Sequence, residues 1–427
     1  MRTRGLGVAG ILMLWLALAP AVGRAQYPSS LGDGTGLNSL PGQPYLARGQ
    51  DAAGYAPPDP ILPIPIGSNR PDSGFFVDAS YVMYRQNVPL KNQAVAVRGF
   101  VDSDGSITGT PGTFVGSGAL ALQTNQVRGP GSWEPGTRLG IGYRFCDGTS
   151  VEFSWMYLAN LKFTAVATLA PPNNLLDPGL ANTFLFSPVF NFPPGFAGPT
   201  GIGTTPTINS DTGVGNPGAT FGIWNAADIE TEEFDLRFQM YELTIRKPIF
   251  ETEFWRTYGL IGPQFVWFWQ RYKWTTTDLN AAGDAGPEDV AIYTNIVSNR
   301  MYGVKIGCGS ECYLGNGFSF SCDLMAAGML DIVKERVAYV RGDRHIGPER
   351  KRSITDFTFV PEARGTLFIN WFPYEGIEVK LGYDVMAFAN TVASQHPIDM
   401  DFSAVAPGFN RVWRFVDGFN VGLALKF

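Results

Sequence analysis

From residue 74 to the last residue, apolar side chains recur at every second position in about ten separate stretches. The final one, DGFNVGLALKF, puts Phe419, Val421, Leu423, Leu425 and Phe427 on one face. Asn420, Gly422, Ala424 and Lys426 fall on the other. A period of two marks extended chain. Ten two-faced strands must cover their apolar faces, either against a second sheet in water or against lipid around a closed ring.

The earlier stretches repeat the pattern. FFVDASYVMYR sets Phe75, Val77, Ala79, Tyr81 and Met83 against Asp78 and Ser80. TRLGIGYRF sets Leu139, Ile141, Tyr143 and Phe145 against Arg138 and Arg144. After the tight-turn signal CDG, Val151, Phe153, Trp155 and Tyr157 oppose Glu152. YELTI, LIGPQFVWFWQ, YGVKIGC, FSFSCDL, EARGTLFINW and GIEVKLGYDV continue it. Pro263 predicts a bulge or irregular pairing.

Connections discriminate between the two ways of covering. CDG, RKPIFETEF, SECYLGNG and FPYEG are short. The intervening gaps are long: about fifty residues after the first strand, about seventy after the third, then 273–296, 331–355 and 390–411. Long external loops alternating with short periplasmic turns characterise membrane barrels, and a soluble sandwich has no reason for such alternation. QAVAVRGFV (93–101) and ALALQTNQV offer one more hairpin, so twelve strands is the alternative to ten.

Composition agrees. Charged residues are 16% and aromatics 13%, against about 25% charged in soluble domains. A net charge of −6 argues against a nucleic-acid partner. Residues 1–25 read as a signal peptide: Arg2 and Arg4, an apolar core, and a small residue, Ala25, at the cleavage point. Residues 26–73 are rich in Pro and Gly and read as a disordered periplasmic leader. No later run of 18 apolar residues suggests a membrane helix. The expectation is an all-β, antiparallel, up-and-down transmembrane barrel over 74–427, in the outer membrane of a Gram-negative cell envelope. Lipid would surround it, and the barrel-assembly machinery would recognise the terminal pattern Phe419, Val421, Leu423, Leu425 and Phe427.

The opposite faces should line the lumen: Asp78, Arg138, Arg144, Glu152, Glu242, Lys305, Asp323, Glu362, Arg364, Glu378, Lys380 and Asp384. Acids slightly outnumber bases, so a conducting lumen would favour cations weakly. In a narrow barrel the same charges would pair and fill the interior instead.

WEPGTRLGIGYRFCDGTSVEFSW (133–155), YGVKIGCGSECYLGNGFSFSCDL (302–324) and FVPEARGTLFINWFPYEGIEVKLGYDV (359–385) resemble the Legionella-type pore-forming major outer-membrane protein family, especially its divergent relatives in planctomycete-type bacteria. The resemblance implies a barrel that passes ions or small solutes. It supplies no catalytic residue.

No catalytic, metal or cofactor motif is evident in the sequence, and neither cofactor nor metal is expected. DSDGS (102–106) starts like a calcium loop but lacks the later ligands. Cys146, Cys308, Cys312 and Cys322 have no zinc spacing. Cys308 and Cys322 could face each other across a hairpin, or all four could be small apolar residues. Asp384, Glu378 and His396 could form a hydrolase rim, as in omptins, yet solvated loop positions for His345 and His396 are the simpler reading. The classes left open are a passive pore, a structural or adhesive surface barrel with a filled lumen, and a barrel hydrolase. Oligomerisation stays open.

Overall fold

A computed structural model describes residues 73–427, apart from 88–89, 103–107, 129–132, 169–183, 191–226, 253, 280–283, 342–349, 375 and 403–407. The predicted signal peptide, all but the end of the predicted leader, His345 and most of DSDGS lie outside the described residues.

Fifteen strands are described. In chain order the first eight are β1 (Gly74–Gln86), β2 (Ala94–Arg98), β3 (Phe100–Asp102), β4 (Thr113–Val115), β5 (Leu120–Gln123), β6 (Glu134–Arg144), β7 (Ser150–Thr168) and β8 (Leu185–Phe186). Then come β9 (Ile229–Glu251), β10 (Trp255–Thr277), β11 (Val290–Gly315), β12 (Phe318–Arg341), β13 (Arg350–Tyr374), β14 (Ile377–Ser394) and β15 (Phe409–Lys426). Ten close a barrel in the order β1-β15-β14-β13-β12-β11-β10-β9-β7-β6. Every pairing around the ring is antiparallel. Closure satisfies the backbone of each edge strand, which lipid could not.

Ten strands is therefore the count, not twelve. The extra segments do become β2 and β5, but they pair with each other and with β8 in a separate three-stranded sheet. Several strands also run further than the amphipathic pattern reaches. The gap predicted at 331–355 shrinks to the interval between Arg341 and Arg350. Above the lipid, outward positions turn polar, as at Thr231, Glu233, Arg237 and Gln239 of β9, while the ladder continues. Strand length changes smoothly around the ring: 11 residues in β6 and 13 in β1, rising to 26 in β11 and 24 in β12 on the opposite side.

The predicted apolar faces point outward. Phe75, Tyr81, Ile141, Phe153, Ile261, Val304, Ile306, Leu367, Ile369, Leu381 and Val421 are all exposed. A soluble protein does not leave so continuous an apolar surface to water, but a hydrocarbon bilayer is the solvent that suits it. Aromatics mark its borders. Trp269 lies 4.3 Å from the Arg237 guanidinium, where the outer face of β9 turns polar. Trp267 donates to Ser298 at 2.9 Å. Both are girdle positions.

Turn chemistry explains the short connections. Between β6 and β7, Asp147 accepts from the Thr149 N–H at 2.9 Å and its hydroxyl at 2.8 Å. Those bonds hold its carboxyl below the ordinary carboxylate range. Gly148 takes φ +78°, which favours glycine. Of the two expectations for Pro263, the irregular pairing is found and the bulge is not. The β9 ladder lapses opposite Gly262 and Pro263 but resumes in the same register. The bulge falls between Thr257 and Tyr258 instead, near Pro248 of the partner strand.

At the seam the Phe427 N–H donates to the Phe75 carbonyl at 2.8 Å, and the Phe427 ring is exposed. Phe419, Val421, Leu423 and Leu425 share that outward face. We expect deletion of Phe427, or Phe427→Asp, to leave precursor in the periplasm, measured by fractionation. Normal membrane levels of both variants would show the terminal pattern to be only an ordinary strand.

Cys308 stands opposite Leu324, and Cys322 opposite Ser310. The two are therefore diagonal neighbours rather than a facing pair, and all four cysteines are free thiols.

Candidate functional site

The interior is the site to consider, because every barrel strand sends alternate side chains into it. It is layered from the short-turn end upward. Near the turns, Lys380 pairs with Asp78 at 2.8 Å and Lys426 with Glu378 at 2.5 Å. Arg246 reaches Asp323 at 3.7 Å and Glu152 at 3.9 Å, while Tyr258 donates to Asp323 at 2.6 Å. These groups and Arg144 surround a cavity of about 160 Å³.

Next comes an ionic knot. Glu242 accepts from Lys305 at 2.6 Å, from Arg364 at 3.0 and 3.1 Å, and lies 3.5 Å from Arg138. Arg364 also lies 3.7 Å from Asp384. Asp384 accepts from Tyr84, from Thr366 at 2.5 Å and from Asn420 at 2.9 Å. Glu362 accepts from Gln264. Three cations thus meet three carboxylates, nearly all buried. In a site of low dielectric, only mutual pairing makes such charges tolerable.

Above the knot the interior becomes apolar. Met156, Phe238, Phe268, Met301, Met329 and Phe388 belong to one buried cluster, to which nine of the ten barrel strands contribute. Most of its members are at most 2% exposed. Phe268 sits between Phe238 (4.8 Å) and Phe388 (5.2 Å). Arg414 lies over Phe268 at 5.1 Å and donates to Gln270 at 2.7 Å, capping this layer from above.

The outer mouth is filled as well. Leu90, Val95, Leu122, Leu185 and Phe402 come from external connections and pack against Trp274, Tyr293 and Tyr339 of the wall. Buried carboxylates sit among them. Glu230 accepts from Trp274 and Ser187, and Glu232 from Tyr272.

The twelve residues read as lumen-facing all lie inside the ring below the apolar layer. Sequence reading missed Arg246, Arg256, Lys426 and Glu311, which join them. Arg246 is one position beyond the YELTI stretch and continues its parity. With these four included, eight acids face eight bases, so the acidic excess inferred from sequence disappears. The hydrolase arrangement does not form. Glu378 lies at the turn end of β14, Asp384 sits in the knot, and His396 is exposed beyond the far end of the strand. Glu378 and His396 are separated by roughly 60 Å of extended chain. Among the described residues no group of His, Cys, Asp and Glu side chains could hold a metal.

No family model matches the chain, and no curated protein sequence matches it. Solved structures similar in fold include the outer-membrane protease OmpT from Escherichia coli, at 9% identity over 83% of this chain and 97% of that chain, TM-score 0.34. A major outer membrane protein from Thermus thermophilus follows, at 10% identity over 83% and 99%, TM-score 0.27. A Pseudomonas aeruginosa FadL homologue is similar at 8% identity over 83% and 90%, TM-score 0.21. The chain has the antiparallel transmembrane barrel architecture found in outer-membrane proteins.

Proposed function

We propose that this chain is an outer-membrane barrel with a closed lumen, which anchors and displays its external connections at the cell surface. The observation that carries this reading is the apolar layer across the interior, backed by the second apolar cluster at the mouth. An ion entering the apolar layer would lose its hydration without finding a partner, at a cost of tens of kcal/mol in the limit. Cell fractionation with a heat-shift gel tests the membrane reading. Recovery in the soluble fraction, with no heat-modifiable band, defeats it.

A passive pore for ions or small solutes is the second reading. Two things favour it: the resemblance to the Legionella-type pore-forming family, and the charged cavity that already opens the turn-side end of the lumen. On neither reading is the chain an enzyme. OmpT is a protease, but the candidate acids and histidine of this chain do not converge. His345→Ala combined with His396→Ala is therefore expected to leave any peptide hydrolysis by purified barrel unchanged. Loss of a measured activity in that double variant would establish the hydrolase instead.

A further inference from the structure

We propose that a groove on the outer rim, above β1 and β15, binds the phosphate of an anionic lipid headgroup. The inference rests on the outer-membrane reading. Lys91, Arg128 and Arg411 line this groove of about 430 Å³, together with Asn92, Gln395 and Trp413. They come from three separate segments: the connection after β1, the approach to β6, and β15 itself. No acid lines the groove, and no described carboxylate forms an ion pair with any of the three cations. Three other outward cations are paired: Arg85 with Asp417 at 2.9 Å, Lys162 with Glu233 at 3.2 Å, and Arg271 with Asp235.

The framework is built rather than loose. The Lys91 N–H donates to the Gln395 carbonyl at 2.8 Å. Buried Thr124 donates its hydroxyl to the Lys91 carbonyl at 2.6 Å and accepts the Gln93 N–H at 2.8 Å. Gln93 in turn donates to the Ile398 carbonyl at 2.7 Å. Leu90 and Val127, next to Lys91 and Arg128, are anchored in the mouth cluster. Three like charges are thus gathered on backbone fixed by other contacts. Their repulsion is relieved by an anion, and phosphate presents several strong acceptors to such donors.

Height and surroundings select a lipid over a free anion. β1 has 13 residues, little more than the roughly 9–11 that cross a bilayer when tilted. Lys91 follows shortly after its end, so it stands at the level of the headgroups. Arg411 lies a few residues above Val416, the partner of Gln86. Directly below Arg411 on the same outward face is Trp413, 60% exposed, stacked on Phe415. Tryptophan beneath a cation is an interfacial arrangement, with the ring among the upper acyl chains and the charge among the phosphates.

Each cation near a membrane surface raises affinity for anionic lipid by roughly fivefold. The test uses purified barrel in nanodiscs of phosphatidylcholine containing a minority of phosphatidic acid. Retained lipid is counted by native mass spectrometry, with a heat-shift gel as the folding control. Wild type should retain phosphatidic acid selectively. Lys91→Gln/Arg128→Gln/Arg411→Gln should lose that selectivity by at least about tenfold. Lys91→Gln/Arg128→Gln, which leaves every barrel strand intact, should lose a large part of it. Unchanged retention in the folded triple variant overturns the proposal. Full displacement of the lipid by millimolar inorganic phosphate also overturns it, in favour of a free-anion site. Protein that fails to enter nanodiscs overturns the outer-membrane reading as well, whereas insertion with unselective retention overturns this inference alone.

Discussion

Inserted into a planar bilayer, the wild-type barrel is expected to stay silent, with no stepwise current in either monovalent or divalent salt. Two apolar seals lie in series: the layer around Phe238, Phe268 and Phe388, and the mouth cluster around Trp274, Tyr293 and Phe402. Replacing Phe268 and Phe388 together by Ala removes touching rings from the first seal. It should lower stability by about 3–5 kcal/mol per ring and still leave the membrane insulating, because the mouth remains closed. Steady ohmic steps from wild-type protein, with a heat-modifiable band confirming the fold, would refute the closed lumen and restore the pore. Such a pore should show a reversal potential near zero in a salt gradient, since eight acids and eight bases line the interior below the seal.

The second large effect should come from Glu242→Gln. One buried carboxylate holds Lys305, Arg364 and Arg138 together, and the change leaves them around a neutral amide, with Arg364 keeping only its longer contact to Asp384. Removing one partner of a buried ionic group typically costs about 3–5 kcal/mol, because the remaining charge keeps its desolvation penalty. Urea unfolding in lipid vesicles would measure the loss. Glu242→Leu combined with Arg364→Leu removes one charge of each sign and leaves Asp384 and Glu362 facing Arg138 and Lys305. This double variant should recover a substantial part of the stability. A single variant within about 1 kcal/mol of wild type would show that the knot is solvated and does not hold the barrel together.

The outer face was legible from sequence, and the inner one only partly so. Lipid imposes one chemistry on every outward position, so Phe75 to Met83 or Phe419 to Phe427 can be read by parity alone. The turns were legible because glycine and aspartate have specific backbone roles there, as in Cys146–Asp147–Gly148. The interior obeys two rules at once. Near the turns it is charged, and the alternation in YELTI or GIEVKLGYDV exposes this. At mid-height it is apolar, so both faces of a strand carry the same chemistry and alternation vanishes. The signal was present in SYVMY, SWMYL and QFVWFWQ, where Val82, Tyr84, Met156, Leu158, Val266 and Phe268 interrupt the polar set. Unbroken apolar runs mean burial on both sides. Strand ends were missed for the opposite reason: above the lipid, outward positions become polar while backbone pairing continues. The cysteine pairing depended on a register offset of two residues, which symmetry about a turn cannot reveal.

The wall of the barrel is not of even height. From β1 to β11 the strand length doubles, from 13 to 26 residues, which adds roughly 40 Å of extended chain on one side. The two strands lie across the ring from each other, so the outer opening is cut obliquely, like the end of a quill. A neighbouring membrane protein drifting up to the β11 side meets only a tall, fully paired palisade. One that arrives from the β1 side comes directly against the infilling segments themselves. A barrel with circular strand order therefore has a front and a back, and in a crowded membrane its lateral encounters are directional.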